Sequence, residues 1–371
     1  MHAFSHELDQ PQLDHIELFV GMAKMVVFWH ERALGFRTIA YAGPETGVLD
    51  RVSYVLEKNG IRLVVTSAAH PSAYDILSFV DRHGNGVKHL AFTVDQVDAA
   101  FAEAVKRGAI PLGEPITQTD KNGSIRTARL KFLDGNELTL FDRTAYDGCF
   151  APGYEAVQRA ANHEDQGLRH IDHIAFGVYP NEMTRWTDYF TSLFGGTLLQ
   201  TWDEEDVGST VSGMRLAVWR AANRALTGVF VEPVKSRNPS QVQEYLEAFH
   251  GSGVQHVAFA TDDIFATVAT MRAAGVEFVA YPTTYYDNLR KAGRLPHALI
   301  DQLEEQCILC DKQGKAYLFQ TFTKPFGDRP TFFYEIIQRR CNYEGFGQDN
   351  VRALFEAVEQ DQARRGSLVT R

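Results

Sequence analysis

An internal repeat constrains the fold of this chain more than any other feature of its sequence. Residues 13–20 read LDHIELFV and residues 171–178 read IDHIAFGV, and both have the length and composition of a β-strand. Each is followed by an amphipathic segment with aromatic residues on one face, which ends at glycine, as helices often do. The two halves of the chain therefore begin with the same strand–helix unit.

A second pair of similar segments extends the repeat. Residues 84–92 read GNGVKHLAF and residues 251–259 read GSGVQHVAF. Each copy is followed by an acidic residue and an alanine-rich stretch with apolar residues at helical spacing, over residues 95–108 and 262–275. Each half is thus predicted to contain two strand–helix–strands units.

Composition places a boundary between the halves. Residues 145–166 are rich in Gly, Pro, Glu and Asp, so we predict an N-terminal domain over residues 1–150 and a C-terminal domain over residues 151–371. Within the second domain, residues 281–329 are predicted to be irregular and to supply a segment that covers a site. Residues 350–365 carry apolar side chains at helical spacing, which predicts a C-terminal helix packed on the core.

Length and charge exclude several classes of protein. The 371 residues suit two domains, and 44% hydrophobic residues are enough for a sizeable core. A formal net charge of -10 argues against a nucleic-acid or anionic-membrane surface, which requires clustered Lys and Arg. The sequence shows neither an apolar run of about 18 residues nor the start of a signal peptide. We expect a soluble, cytoplasmic protein.

Three residues of the second half have the chemistry of a metal site. His173 and His256 occupy matching places in strands that the repeat predicts to be neighbours, and Glu335 is the single acid of residues 332–339. A buried carboxylate is costly unless it is paired or metal-bound. Two His and one carboxylate on one sheet face form the facial triad of non-haem Fe(II) oxygenases. Zinc hydrolases that share this ligand set generally carry HExxH, which is absent here.

The first half provides an internal comparison. It keeps His15 and His89 at the corresponding positions, but Thr139 stands where Glu335 falls in the second half. Since the anionic ligand is missing, we predict that the first half binds no metal and has a structural role.

Specific short motifs extend along nearly the whole chain. They are AGPETGV at 42–48, DRTAY at 142–146, SQVQEYL at 240–246, GVQH at 253–256, PTTYYD at 282–287, LFQTFTKP at 318–325, DRPT at 328–331, EIIQR at 335–339 and GFG at 345–347. Through these motifs the chain resembles the family of 4-hydroxyphenylpyruvate dioxygenase and 4-hydroxymandelate synthase, which has the vicinal-oxygen-chelate (glyoxalase-like) fold.

The resemblance implies an α+β fold of two vicinal-oxygen-chelate halves, each made of paired βαβββ modules that form a curved sheet, plus a C-terminal helix. It implies Fe(II) as the cofactor, held by His173, His256 and Glu335, with a small-molecule 2-oxo acid and O2 as partners. The implied activity couples oxidative decarboxylation of an arylpyruvate, 4-hydroxyphenylpyruvate or a close analogue, to its hydroxylation. Members of the family commonly form homodimers or homotetramers.

The resemblance also assigns the cavity around the metal. It implies catalytic roles for Gln241, Gln255, Gln320, Phe333, Phe346 and Asn350. Amide side chains can orient substrate oxygens without adding charge, and the Phe333/Phe346 pair could clamp a flat apolar group by stacking. The further pocket residues that it implies are Leu216, Val229, Val231, Phe322, Val351 and Leu354.

Four pocket positions depart from the dioxygenase pattern. The pattern has Ser, Pro, Asn and Phe at the positions that are here Leu216, Val229, Val231 and Val351. Because a buried phenol hydroxyl without a partner costs roughly 1 to 3 kcal/mol, either the phenol finds other partners or the substrate is a less polar 2-oxo acid, such as phenylpyruvate or a branched aliphatic one. Aliphatic residues at the last two positions are typical of the mandelate synthases, which hydroxylate the benzylic carbon. Since the same fold also hosts metal-free binding proteins, a binding protein is the alternative from another class.

Overall fold

The computed structural model describes residues 5–157, 165–202, 213–235, 240–347 and 350. The strands of the first half are β1 Gln12–Phe19, β2 Arg37–Ala42, β3 Arg51–Lys58, β4 Ile61–Ala68, β5 Gly86–Thr93, β6 Ile116–Asp120, β7 Gly123–Lys131, β8 Glu137–Asp142 and β9 Glu155–Ala156. Its helices are α1 Ser5–Leu8, α2 Ala23–Leu34, α3 Tyr74–His83 and α4 Val97–Lys106, with a 3₁₀ turn at Pro44–Thr46.

The second half repeats this series of elements with additions. Its strands are β10 Leu168–Gly177, β11 Thr197–Trp202, β12 Met214–Arg220, β13 Thr227–Pro233, β14 Gly253–Thr261, β15 Leu309–Gln313, β16 Ala316–Phe322 and β17 Phe333–Arg340. Its helices are α5 Met183–Phe194, α6 Gln241–Phe249, α7 Ile264–Ala273, α8 Thr283–Ala292 and α9 His297–Glu305.

The two sheets have the same strand order when they are read from opposite ends, except that β9 extends the first sheet. Within the described residues, the first sheet runs β6–β7–β8–β5–β1–β4–β3–β2–β9 and the second runs β11–β12–β13–β10–β14–β17–β16–β15. Each has a central antiparallel pair, β1/β5 or β10/β14, flanked by a parallel partner on either side. Each half therefore contains two βαβββ units, and the α+β fold of two curved sheets predicted from the sequence is confirmed.

Local sequence signals explain where the repeated helices begin and end. The Asp263 side chain accepts hydrogen bonds from the backbone N–H groups of Phe265 and Ala266, which caps the start of α7. Gly35 follows α2 with φ of 70°, a left-handed conformation that favours glycine because it lacks Cβ. The acidic start and the terminal glycine read from the sequence thus mark real helix boundaries.

Strand register shows how far the repeat extends. In the first sheet Ala91 lies beside both His15 and Thr139, and in the second sheet Ala258 lies beside both His173 and Glu335. Thr139 and Glu335 therefore occupy equivalent positions, as the sequence predicted. The first sheet continues past residue 150, since β9 pairs with β2.

One hydrophobic core joins the two halves. Phe36 of the first half packs against Phe259 of β14, with ring centroids 6.1 Å apart, and Phe92 packs against Phe194 of α5 at 4.9 Å. Polar contacts also cross between the halves. The Nε2 atom of the buried His30 lies 2.6 Å from the hydroxyl of Tyr334 on β17. The N-terminal half is thus packed directly against the strand that carries Glu335.

The expectation that residues 281–329 are irregular was wrong. This segment forms α8, α9, β15 and β16. Pro282 and Pro296 stand directly before the two helices, where proline is tolerated because its missing N–H is not needed. Tyr286 and Leu303 anchor the helices in the core. The predicted C-terminal helix at 350–365 lies outside the described residues, apart from Asn350.

No helix in the described part of the chain has both the length and the apolar composition needed to cross a membrane. This finding agrees with the hydropathy of the sequence, in which no long uncharged apolar run occurs.

The contact between the halves gives a stability prediction for Asn136. Its buried side chain donates to the Val87 carbonyl at 2.6 Å and accepts from the Val254 backbone N–H at 3.1 Å. Asn136→Ala leaves a buried acceptor and a buried donor without partners, so we expect the free energy of unfolding to fall by roughly 2 to 4 kcal/mol. Urea denaturation followed by circular dichroism measures the change.

The matched control is Asn288→Ala, which makes the same substitution at an exposed position of α8. Its effect should stay within about 0.5 kcal/mol. Equal losses from both variants would show that the Asn136 bridge does not hold the halves together.

Candidate metal centre and its cavity

Three neighbouring strands bring the predicted metal ligands together. His173 of β10, His256 of β14 and Glu335 of β17 are buried, and one ligand atom from each lies within 4.8 Å of the others. The Nε2 atoms of His173 and His256 lie 3.1 and 3.3 Å from the same carboxylate oxygen of Glu335. The side chains converge because alternate residues of paired strands point to one face of a sheet. The three residues therefore form a group that could hold a metal ion.

Electrostatics favour an anionic carboxylate at Glu335 and a proton on the neighbouring His173. Burial would raise the pKa of the Glu335 carboxyl, but the two imidazoles outweigh burial and hold that pKa below its usual range. Burial also disfavours protonation of His173, yet Glu335 and Asp172 raise its pKa to about 9. Burial dominates at His256 and lowers its pKa. A bound divalent cation would take the place of the proton that His173 otherwise shares with Glu335.

The donor set fits a first-row divalent metal. The Oε1 atom of Glu335 is buried and has no hydrogen-bond partner in the described part of the chain, an arrangement that costs free energy unless a cation compensates it. Two imidazole nitrogens and one carboxylate match the facial set of non-haem iron sites, which leaves the remaining coordination positions open to ligands.

Residues behind the two histidines fix their orientation. The Nδ1–H of His173 donates to Asp172 at 2.9 Å, and Arg339 donates to both oxygens of Asp172 at 2.8 and 2.9 Å. The Nδ1 atom of His256 lies 3.3 Å from the Gln255 side-chain oxygen. These contacts turn the Nε2 atom of each imidazole toward Glu335, as second-shell partners commonly do at metal sites.

Sequence reasoning missed Asp172 and Arg339. A signal was present, because the Asp-His dipeptide of the second half recurs at Asp14 and His15, and an arginine follows four residues after both Thr139 and Glu335. Arg143 indeed donates to Asp14 at 2.6 Å, as Arg339 does to Asp172. Both halves thus keep an Asp–His–Arg frame.

A small cavity of about 60 Å³ opens from the metal group. It is lined by eight of the residues that the resemblance implied: Leu216, Val229, Val231, Gln241, Gln255, Gln320, Phe322 and Phe346. Met214, Val242 and Ile337 also line it and were not anticipated. These three lie among apolar residues of strands and a helix, where sequence pattern alone does not distinguish a cavity wall from core.

Two of the implied catalytic residues, Phe333 and Asn350, are not among the described residues that line this cavity. Phe333 stacks on His256, with ring centroids 4.9 Å apart and planes at 22°, whereas Phe346 meets His173 edge-on at 5.3 Å. The two rings therefore contact different histidines, and the clamp that they were expected to form stays a prediction. Asn350 lies behind the wall and donates to the Gln320 side-chain oxygen at 3.2 Å. Val351 and Leu354 lie outside the described residues.

The corresponding place in the first half is arranged differently. His89 Nδ1 lies 2.6 Å from Glu17 and Nε2 lies 3.2 Å from Glu137, so carboxylates engage both nitrogens. At the positions equivalent to Glu17 and Glu137, the second half has Ala175 and Phe333. His256 is therefore left free to face Glu335, while His89 is held in a structural hydrogen-bond network.

Comparison with known proteins agrees with this geometry. A sequence model of the Glyoxalase/Bleomycin resistance protein/Dioxygenase superfamily matches residues 12–140 and 170–293, one stretch in each half. The chain is 36% identical to 4-hydroxyphenylpyruvate dioxygenase of Yarrowia lipolytica over 96% of this chain and 93% of that protein. It is 33% identical to the enzyme of the same name from Caenorhabditis elegans, over 96% and 93% of the two chains. The chain belongs to the 4-hydroxyphenylpyruvate dioxygenase family.

A solved structure of a mandelate synthase is also similar to this chain. A mutant of 4-hydroxymandelate synthase from Streptomyces coelicolor superimposes with a TM-score of 0.84 at 30% identity, covering 95% of this chain and 99% of that one. Members of the 4-hydroxyphenylpyruvate dioxygenase family and the mandelate synthases are non-haem iron dioxygenases, so this family member is an enzyme of the oxidoreductase class.

The metal group leads to a prediction about iron content. Changing His173, His256 or Glu335 to Ala should abolish tight Fe(II) binding, because each supplies one of three convergent donors. His15→Ala and His89→Ala remove the matched residues of the first half and should leave about one iron per chain. Anaerobic loading with Fe(II), gel filtration and metal analysis measure the content. Loss of iron in His89→Ala but not in His256→Ala would overturn the assignment.

A converse variant tests the first half. Thr139→Glu supplies the missing carboxylate, yet we expect no second iron, since Glu17 and Glu137 still hold both nitrogens of His89. An iron content that rises to about two per chain in this variant would contradict the proposed difference between the halves.

Arg339 is predicted to position the metal centre without touching it. Besides binding Asp172, its guanidinium lies 4.8 Å from the Phe346 ring and donates to the Gly345 carbonyl at 2.5 Å. Arg339→Gln should therefore lower iron affinity about 10- to 100-fold, as loss of a second-shell partner typically does. Competition with a chelator measures this affinity. The matched variant Arg143→Gln should leave it unchanged, and equal losses would indicate a general effect on stability.

Proposed function

We propose that this protein is an Fe(II)-dependent dioxygenase of a 2-oxo acid, with an arylpyruvate, 4-hydroxyphenylpyruvate or a close analogue, as its substrate. The observation that carries the proposal is the convergence of His173, His256 and Glu335 at the end of a cavity lined with amide side chains. The names of the relatives support the choice of substrate. In the overall reaction the 2-oxo acid loses CO2, and both atoms of O2 enter the organic product.

Bound Fe(II) would supply the redox chemistry that couples decarboxylation to hydroxylation. The chain's own residues would bind and orient the substrate. The Nε2 atom of Gln255 is buried and has no hydrogen-bond partner in the described structure, although its residue lines the cavity. Such an unpaired amide donor is costly unless a ligand oxygen accepts from it. We assign Gln255 to a substrate oxygen, and Gln241 and Gln320 to the same polar side of the cavity.

A chain of hydrogen bonds holds Gln320 in position. Its side-chain oxygen accepts from Asn350, whose own oxygen lies 2.9 Å from the hydroxyl of Tyr285 on α8. Because the amide oxygen of Gln320 is engaged, its NH₂ group remains to donate to the substrate. Asn350 thus acts through Gln320 in this proposal. Phe333 acts through His256, on which it stacks, and Phe322 and Phe346 exclude water.

The far side of the cavity is apolar. Met214, Leu216, Val229, Val231 and Val242 line it, and of these side chains only the Met214 thioether could accept a hydrogen bond from a phenol hydroxyl, a weak one. This wall supports two further candidates under the same chemistry: a less polar 2-oxo acid, such as phenylpyruvate or a branched aliphatic one, or benzylic hydroxylation of the kind that 4-hydroxymandelate synthase performs. The superposition on a mandelate synthase mutant favours the second of these.

A metal-free binding protein is the alternative from a different class. The unpartnered, buried Oε1 atom of Glu335 argues against it, because a binding protein gains nothing from burying such a carboxylate. Loss of Glu335 would cost a binding protein nothing.

We also propose a division of labour between the halves and a cytoplasmic location. All three metal ligands lie in the second half, which supports a structural N-terminal domain and a catalytic C-terminal domain, although β9 extends the first sheet past the predicted boundary at residue 150. The net charge of -10 supports a protein that binds neither nucleic acid nor anionic membranes. Family resemblance supports a homo-oligomer, either a dimer or a tetramer.

Oxygen uptake with a panel of 2-oxo acids tests the function. We expect iron-dependent O2 consumption with release of CO2 in equal amounts, fastest for an arylpyruvate. From 4-hydroxyphenylpyruvate we expect slow turnover or a substantial share of benzylic product, since the apolar wall leaves the phenol without an anchor. Product analysis by liquid chromatography distinguishes these outcomes. Saturable binding of a 2-oxo acid without O2 uptake would support the binding protein instead.

The variant Val351→Phe belongs to the same measurement. It restores the aromatic residue of the dioxygenase pattern at a position that the resemblance places in the pocket. The added bulk should press the substrate's ring toward the metal, so the product should shift from the benzylic product toward homogentisate, the product of ring hydroxylation. If the unmodified protein already yields homogentisate alone at high turnover, position 351 does not control the outcome.

A further inference from the structure

The first half contains the larger of the two cavities described here. This N-terminal cavity measures about 370 Å³, against about 60 Å³ beside the metal group. It lies on the face of the first sheet that carries His15, Glu17, His89 and Thr139. Since His15 and His173 are repeat equivalents, the cavity occupies the place that corresponds to the metal centre of the second half.

His15 presents an imidazole nitrogen without a partner among the described residues in this cavity. The residue is only 7% exposed, and its Nδ1 atom lies 2.6 Å from the Asp14 carboxylate. Arg143 and Arg62 also bind Asp14, which together with His15 lowers the pKa of that buried carboxyl to about 2 against the opposing effect of burial. The Nδ1 side of the ring is therefore occupied by a charged carboxylate. No side chain of the described structure pairs with Nε2, so this nitrogen remains for a ligand's hydroxyl, which can both donate and accept a hydrogen bond.

A metal ion is not the group that the Nε2 atom of His15 suits. The nitrogens of His89 are both engaged by carboxylates, and Thr139 replaces the acid. The charge of Glu17 is likewise compensated, because its two oxygens accept from Thr66 and His89 at 2.6 Å each. With no converging metal donors beside it among the described residues, Nε2 of His15 suits the hydroxyl of an organic ligand.

The cavity walls fit a flat ring. Phe141 and Phe150 stand nearly perpendicular to the His15 imidazole, with centroids 5.6 and 5.2 Å from it, and both line the cavity. Val64 on β4 and Ile125 on β7 add aliphatic surface. A ligand whose hydroxyl reaches His15 would therefore place its carbon skeleton against aromatic and branched side chains, an environment that favours a small aromatic ring.

The end of the cavity formed by β7 carries a cationic side chain, Arg129. The Arg129 side chain is 51% exposed and makes one long contact, 3.4 Å, from Nη1 to Glu137. Its Nη2 and Nε groups have no partner among the residues that the structure describes. Arg129 lies on β7, three strands from His15, a separation of roughly 14 Å along the sheet. Both side chains extend from their strands, so the span between the His15 ring and the Arg129 guanidinium is shorter than the span between the strands. A benzene ring with two substituents suits this span. A guanidinium at this end favours a carboxylate.

We propose that the N-terminal cavity is a second small-molecule site, which binds a hydroxyaryl carboxylate with its hydroxyl on His15 and its carboxylate on Arg129. The site is separate from the metal centre and involves no chemical change of its ligand. The first half would then be a binding domain as well as a scaffold.

Calorimetric titration of the full-length protein with 4-hydroxybenzoate tests this site. We expect saturable binding, with benzoate, which lacks the hydroxyl, about tenfold weaker because one hydrogen bond is lost. His15→Phe keeps an aromatic ring but removes the hydrogen-bonding nitrogen, so it should weaken 4-hydroxybenzoate about tenfold and abolish its advantage over benzoate. The matched variant His173→Phe changes the equivalent residue of the other half and should leave this binding unchanged.

A second variant keeps the test informative if His15→Phe fails to fold. Arg129→Gln alters a half-exposed side chain and should weaken 4-hydroxybenzoate about tenfold, while p-cresol, which has a methyl group in place of the carboxylate, should be unaffected. Near-ultraviolet circular dichroism checks that each variant is folded. The proposal is overturned if the unmodified protein shows no saturable binding. It is equally overturned if binding is lost in His173→Phe and kept in the two first-half variants, since the ligand would then occupy the metal centre.

Discussion

The carboxylate of Glu335 is buried between two imidazoles, and most of the second half is arranged around that contact. Parallel pairing of β17 with β14 sets Glu335 beside Ala258, and antiparallel pairing of β14 with β10 sets Ala258 beside His173. A charged group so deep in the core is tolerated only if opposite charge reaches it. The histidines partly supply that charge, and a divalent cation would complete it. The fold therefore carries a cost that metal binding relieves.

Comparison of the two halves shows which residues turn a common frame into a metal centre. Both keep an aspartate that orients the first histidine and an arginine that holds this aspartate. The difference lies in what surrounds the second histidine. Carboxylates engage both nitrogens of His89, whereas Ala175 and Phe333 leave His256 free for Glu335. Three differences on one sheet face thus separate a hydrogen-bond network from a ligand set, while the strand pairing around the histidines is the same. They are Glu17 against Ala175, Glu137 against Phe333 and Thr139 against Glu335.

The segment inserted into the second half supports the cavity from behind. Tyr285 on α8 contacts Asn350, and Asn350 contacts Gln320, so the inserted helices hold an amide of the cavity wall in place. Arg339 acts on the other side, where it connects Asp172 with the backbone at Gly345 and with the Phe346 ring. The positions of Gln320 and of the Asp172–His173 pair therefore depend on residues outside the cavity wall and the metal group.

The sequence by itself determined the repeated βαβββ units, the equivalence of Thr139 with Glu335 and the three metal-ligand candidates, because strand patterns are local properties and the repeat aligns the strands that carry His and Glu. It also indicated most of the cavity wall, through motifs shared with a known family. Only the tertiary structure decided that residues 281–329 form two helices and two strands, that Phe333 stacks on His256 and that Arg339 anchors Asp172. It alone revealed the larger cavity beside His15. These features depend on contacts between distant strands, where burial and hydrogen-bond partners come from residues that no local pattern connects.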